Sequence, residues 1–213
     1  MAGRKAAARR KTPHESKRGL ILDAARAVFE ADGLDGASLR AIAAAAGYTP
    51  AALYFHFESK EAIYAEVLRG SLANLGQAID IATLNAKTPA DRLGAAAMAF
   101  FNYYDDNPRD LDLGFYLFRG GMKPHGLGKE RDQMLNTALE AALQPIVDAA
   151  QALGVSRQEA RRLLADIFAH ASGLLLLAHT HRIRLFGASA PQLMKRFVDN
   201  SVATIGRRSS SRR

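Results

Sequence analysis

A chain of 213 residues with 48% apolar and 23% charged side chains has the make-up of a folded protein of one large or two small domains. It contains no cysteine, which excludes a disulfide framework and a thiolate metal site and fits a reducing cytoplasm. Its formal charge of +8 is concentrated at the ends: residues 1–18 are strongly basic, four arginines lie in 207–213, and the body between is slightly acidic. That arrangement suits either a polyanionic partner or two solvated tails.

No run reaches the roughly 18 uninterrupted apolar residues of a membrane span. No signal-like apolar stretch follows the basic N-terminus, so neither a membrane partner nor export is expected. Residues 1–15 read as a disordered basic arm, with Pro13 within it. A first helix is predicted from about Ser16 to Ala31, with Leu20, Ile21, Ala24, Ala25 and Val28 as its apolar stripe and Gly33 as its stop. Ser38 caps a short second helix, Leu39–Ala45, which Gly47 ends. Thr49 caps a third, whose first position is Pro50, where a missing N–H costs nothing. Ser59 caps a fourth, beginning at Lys60 and continuing into the 70s. Thr88 and Pro89 open a fifth that ends near Asn107, and a sixth spans about Arg109–Arg119 before a glycine-rich stretch. A seventh, about Lys129–Ala152, contains Pro145 and is expected to bend there. The motifs Ser156–Glu159 and Ser189–Gln192 have the form of capping boxes and open the last two helices. Residues 207–213 form a basic tail.

Two short helices joined by a tight glycine turn and packed by a preceding helix make a helix-turn-helix. The stretch from Ser38 to Phe57 meets each demand. Ile42, Leu53 and Phe57 are apolar where a small core needs them, Ala43–Ala46 are small where two helices must approach, and Thr49, Pro50, Ala51 and Ala52 form an exposed leading end. With the element Leu53-Tyr54-Phe55-His56-Phe57 and Ser59-Lys60-Glu61 after it, the run from about Glu15 to Leu68 resembles the N-terminal domain of TetR-family transcriptional regulators. The remainder resembles that family in architecture only. The expected fold is therefore all-α: an N-terminal three-helix helix-turn-helix DNA-binding domain (16–68), then a helical ligand-binding and dimerisation domain (69–206). Carried over by position, the resemblance implies phosphate contacts from Ser38, Tyr54, His56 and Lys60. Arg40 suits a phosphate or a guanine edge, with phosphate favoured. Thr49 can hydrogen-bond a base or phosphate, while Pro50, Ala51 and Ala52 offer only apolar contact. This edge is poor in base-reading groups, so DNA shape and the basic arm are expected to carry part of the recognition. The competing reading for Tyr54 and His56 is packing against the first helix.

In the C-terminal half, Phe100, Tyr104, Phe115, Phe118, Met134 and Phe168 could line a pocket for a bulky apolar ligand, although aromatic residues at helical spacing are more often plain core. The resemblance implies control by a small-molecule effector. In the penultimate helix, Leu164, Ile167, Ala171, Leu174 and Ala178 follow the spacing of a bundle seam, and Met194, Phe197 and Ser201 repeat it in the last helix. These are the predicted homodimer interface, placing two reading heads on an inverted-repeat operator. Asp166 and His170 share a helix face, but no second cluster supports a metal, so no metal and no cofactor are expected. No nucleophile motif or matched acid–base pair points to an enzyme. The leading expectation is a cytoplasmic repressor released by a small apolar ligand. The alternative is an effector-independent DNA-binding regulator or nucleoid-associated protein.

Overall fold

The computed structural model describes residues 13–115 and 126–210, with side-chain burial for 17–115 and 126–206. The predicted arm up to residue 12, Phe118 with the stretch to His125, and the side chains of the basic tail lie outside these residues. The described residues form helices without strands: α1 (Pro13–Gly36), α2 (Leu39–Ala46), α3 (Pro50–Tyr54), α4 (Lys60–Thr83), α5 (Pro89–Asp106), α6 (Pro108–Gly114), α7 (Lys129–Ala152), α8 (Arg157–His179) and α9 (Ala190–Ser210), with a 3-10 turn at Arg182–Phe186 before α9. The chain divides into two compact units between Val67 and Leu68, a division that falls within α4.

Helix boundaries follow local chemistry. Ser38 Oγ accepts from Ala41 N at 3.1 Å and Thr49 Oγ1 from Ala52 N at 3.2 Å, capping α2 and α3. Reciprocal capping boxes open α5 at Thr88–Asp91 and α8 at Ser156–Glu159. Helix α1 starts at Pro13, earlier than predicted, because proline is tolerated in a first turn whose N–H groups have no helical partner. Its geometry breaks at Gly33 (φ 69, ψ −179), and a further turn runs to Gly36. Pro145 lies inside α7 without ending it.

Gly47 ends α2 in the left-handed region (φ 73, ψ 27), and its N–H reaches the carbonyls of Ala43 and Ala44. A Cβ there would meet nothing within 4 Å, so strain alone opposes a side chain. Gly47→Ala is expected to cost about 1 kcal/mol. That corresponds to a melting temperature roughly 2–4 °C lower for a chain of this size. An unchanged melt would mean the turn relaxes.

The first unit packs α1, α2, α3 and the start of α4 around Ile21, Ala25, Phe29, Ile42, Ala43, Leu53, Phe57, Ile63 and Tyr64, all buried. Phe29 and Tyr64 meet edge to face at 4.8 Å. In the second unit α5 packs on α7 and α9, and α8 on α7 and α9. Ile146, Ile167, Ala171, Leu175, Met194 and Val198 are buried there.

This packing takes four of the eight predicted seam residues into the subunit's own core. Ile167, Ala171, Leu174 and Met194 are buried within the subunit's own core, and Leu164, Ala178, Phe197 and Ser201 are half-buried beside them. A seam at heptad-like spacing must be covered, and here α7, α8 and α9 of one chain cover it. The opposite side of α8 carries Ala165, Ala169, Gly173 and Leu176, all exposed, with Leu176 at 58%. By length and composition α8 could cross a membrane, and 22% of its most apolar window is buried within the chain.

Candidate nucleic-acid interface and apolar cavity

Helices α2 and α3 flank the Gly47 turn with Ile42, Ala43 and Leu53 inward. The same geometry turns Ser38, Arg40, Thr49, Pro50, Ala51 and Tyr54 outward, all exposed, with Tyr54 at 60%; Ala52 and His56 are half-buried. Phe55, which the sequence reading left without a role, is the most exposed aromatic of this edge at 87%. Each capping hydroxyl accepts from its own helix, which leaves its hydrogen as a donor toward the outside. The edge thus combines hydroxyl donors, one guanidinium, small apolar groups and a projecting aromatic pair.

Lys60 stands differently from its expected role. Its ammonium donates to Leu34 O at 2.9 Å and Ala37 O at 3.2 Å and lies 3.5 Å from Asp35 O. Its three protons are thereby directed at the carbonyls of the α1–α2 turn, and the head is not presented to a phosphate. Arg18, counted from the sequence only as part of a basic end, is also directed inward. It donates to His56 O at 2.6 Å, pairs with the Glu66 carboxylate, and lies 4.1 Å above the centroid of the Phe57 ring. No periodicity in the sequence singles out Arg18 or Glu66, because their contacts cross from α1 to the α3–α4 turn and α4.

Within the second unit a cavity of about 90 Å³ is lined by Leu68, Leu72, Phe100, Tyr104, Phe115, Phe168 and further leucines, with Asn136 and Ser172 as polar members. Four of the six predicted ligand residues meet there: Phe100, Tyr104, Phe115 and Phe168. Phe100 stacks on Phe168 at 5.5 Å and meets Tyr104 edge to face at 5.6 Å. Met134 does not join them: it is 38% exposed, and α7 turns its neighbours Leu135 and Asn136, with Leu139, toward the cavity instead. Burial raises the Tyr104 pKa well above its ordinary value, with Tyr103 and Asp110 adding to the effect, so its hydroxyl stays neutral and able to donate. Behind the cavity wall, Ser71 donates to the buried Asp110 carboxylate at 2.7 Å, and the Tyr103 hydroxyl also bonds it.

The described residues contain no cluster of three or more metal-binding side chains. His170, paired on paper with Asp166, stacks on Phe197 instead at 4.1 Å. Desolvation lowers its pKa; a hydrogen bond with the Leu193 backbone opposes that shift and Arg196 reinforces it.

Residues 21–67 match the sequence family described as bacterial regulatory proteins, tetR family. The HTH-type transcriptional activator FasR of Mycolicibacterium smegmatis is 34% identical over 103 residues, 48% of this chain and 47% of that protein. The HTH-type transcriptional repressor KstR2 of Mycobacterium tuberculosis is 38% identical over 86 residues, 40% of this chain and 43% of that protein. The chain therefore matches less than half the length of these two relatives. In fold it is similar to the transcriptional regulator FadR from Bacillus subtilis, solved in complex with stearoyl-CoA. The TM-score is 0.65 at 16% identity, over 86% of this chain and 96% of that one.

Proposed function

We propose that this chain, whose residues 21–67 match the tetR family of bacterial regulatory proteins, is a member of that family and a sequence-specific DNA-binding transcriptional regulator. It acts as a two-fold homodimer and is a repressor released by a small apolar ligand. The observation that carries the reading is the outward edge of α2 and α3, held rigid by its caps and by the buried Leu53. In this reading α3 enters the major groove with Thr49, Pro50, Ala51 and Ala52 foremost, while Ser38, Arg40, Tyr54 and His56 take phosphates. The dimer pairs the outer faces of α8 and α9. Small side chains at Ala165, Ala169 and Gly173 allow close approach, and partner coverage accounts for so apolar a helix being so little buried.

Phe100, Tyr104, Phe115 and Phe168 support an apolar ligand with one polar end for Tyr104, Asn136 or Ser172. A drug-sized ligand occupies about 300 Å³ or more, so it must widen a cavity of this size. That requirement supplies a mechanism. A ligand that binds only the widened state shifts the population away from the DNA-competent one, and a tenfold loss of operator affinity needs about 1.4 kcal/mol of coupling.

The test begins by selecting a duplex from a random pool and titrating it, with a scrambled control, against the labelled protein. A selected duplex that binds no tighter than the scrambled one rejects sequence-specific regulation. Uncharged aromatic compounds that raise the melting temperature are then titrated calorimetrically into free and duplex-bound protein. Induction requires weaker binding to the complex, and equal affinity in the two states rejects it.

A further inference from the structure

Helix α3 has only five residues, too few to hold its own direction. Its N-terminal end is tied by Thr49 and its middle by Leu53, and its C-terminal end runs into the turn His56–Ser59, where the His56 and Phe57 N–H groups both bond the carbonyl of Leu53. The structure meets that need with Arg18. One guanidinium nitrogen takes the carbonyl of His56 in this turn at 2.6 Å, and another takes the Glu66 carboxylate of α4. The guanidinium lies on the ring of Phe57, which is itself buried. A planar guanidinium holds two acceptors in a fixed fork while its flat face stacks on an aromatic ring, a geometry that the compact, freely rotating ammonium of lysine does not reproduce. Lys60 does the matching work at the other turn, holding the carbonyls of Leu34 and Asp35 in the last turn of α1 and of Ala37 just before the Ser38 cap. Both cations thus bind the protein's own backbone on either side of the reading helices.

We infer that Arg18, locked by Glu66, is a positioning residue that sets the angle of α3, so that it governs which DNA sequence is read without contacting DNA. The inference rests on the DNA-binding reading above and adds to it a residue outside the helix-turn-helix and its reading edge.

Charge supplies a test with opposite signs. Glu66→Gln removes a negative charge, so if Arg18 and Glu66 acted only through the field at the phosphates, this variant would bind every duplex more tightly. As a brace, the pair predicts the reverse on the selected duplex: about a tenfold loss of affinity, or 1.4 kcal/mol. Binding to a scrambled duplex is not weakened, and the slope of affinity against salt stays that of the wild type. Arg18→Lys keeps the charge and loses the fork, and is expected to fail in the same way. The full-length variants are compared by fluorescence anisotropy across a salt series. Amide hydrogen exchange is followed in parallel on the free proteins. Exchange at Leu53, His56 and Phe57, whose N–H groups bond Thr49 O and Leu53 O, is expected to quicken while α2 keeps its protection. Wild-type affinity for the selected duplex in both variants, or a parallel loss on both duplexes with a general loss of protection, overturns the brace. If the wild type itself prefers no duplex, the DNA reading fails, and exchange in the α3 turn still decides whether Arg18 holds it.

Discussion

Leu176→Glu is expected to turn the homodimer into folded monomers and to weaken operator binding by roughly 10²–10⁴-fold, the avidity lost when two heads no longer bind as one unit. Leu176 is 58% exposed on the outer face of α8, so within one subunit the glutamate stays in water. A surface change of that kind costs only about 0.5 kcal/mol or less. In the proposed dimer the two-fold axis brings the same patch of each partner together and buries the new charges. Leu174→Glu, two positions away, is the informative contrast. Leu174 is 6% exposed inside the subunit core, so a charge there has no solvent and no partner. That substitution is expected to cost on the order of 3–5 kcal/mol and to unfold the second unit rather than yield clean monomers. Light scattering with a circular-dichroism melt separates the two results. A Leu176→Glu protein that keeps the wild-type dimer mass would place the interface elsewhere.

Ala51→Glu is expected to abolish DNA binding without loss of stability. Ala51 lies one residue after Pro50 in the first turn of α3, exposed, where a carboxylate favours the positive end of the helix dipole. The fold is therefore indifferent or slightly better. On DNA the same carboxylate would enter a groove bordered by phosphates, with no cation of α3 to neutralise it. A loss of about 100-fold or more follows, which is about 2.7 kcal/mol. It is expected on selected and scrambled duplexes alike, since repulsion by phosphates ignores sequence. Anisotropy and a thermal melt on the same preparation check both halves. Unchanged affinity would mean that α3 does not face the DNA.

These predictions also mark how far the residues could be read in advance. The outward edge of α2 and α3 was legible because it is built from signals a few positions apart: Ser38 and Thr49 each cap a helix beginning at the next residue, and Gly47 alone tolerates the left-handed turn between them. The aromatic cavity was partly legible. Phe100 and Tyr104 share a helix face, but the inward turn of Leu135 rather than Met134 depends on how α7 is rotated against α5 and α8. Nothing local states that rotation.

What the sequence determined by itself is the order of the helices and most of their caps, because caps, first-turn prolines and left-handed glycines act on backbone groups within about four residues. The tertiary structure alone decided direction. A 3.6-residue period says that one side of α8 must be covered but not by what, and the cover proved to be the subunit's own helices, leaving Leu176 outward and Leu174 inward. The long cations follow the same rule. Arg18 finds its acceptors 38 and 48 positions away and Lys60 reaches back 23 to 26, distances over which charge counting carries no information about where a flexible side chain points.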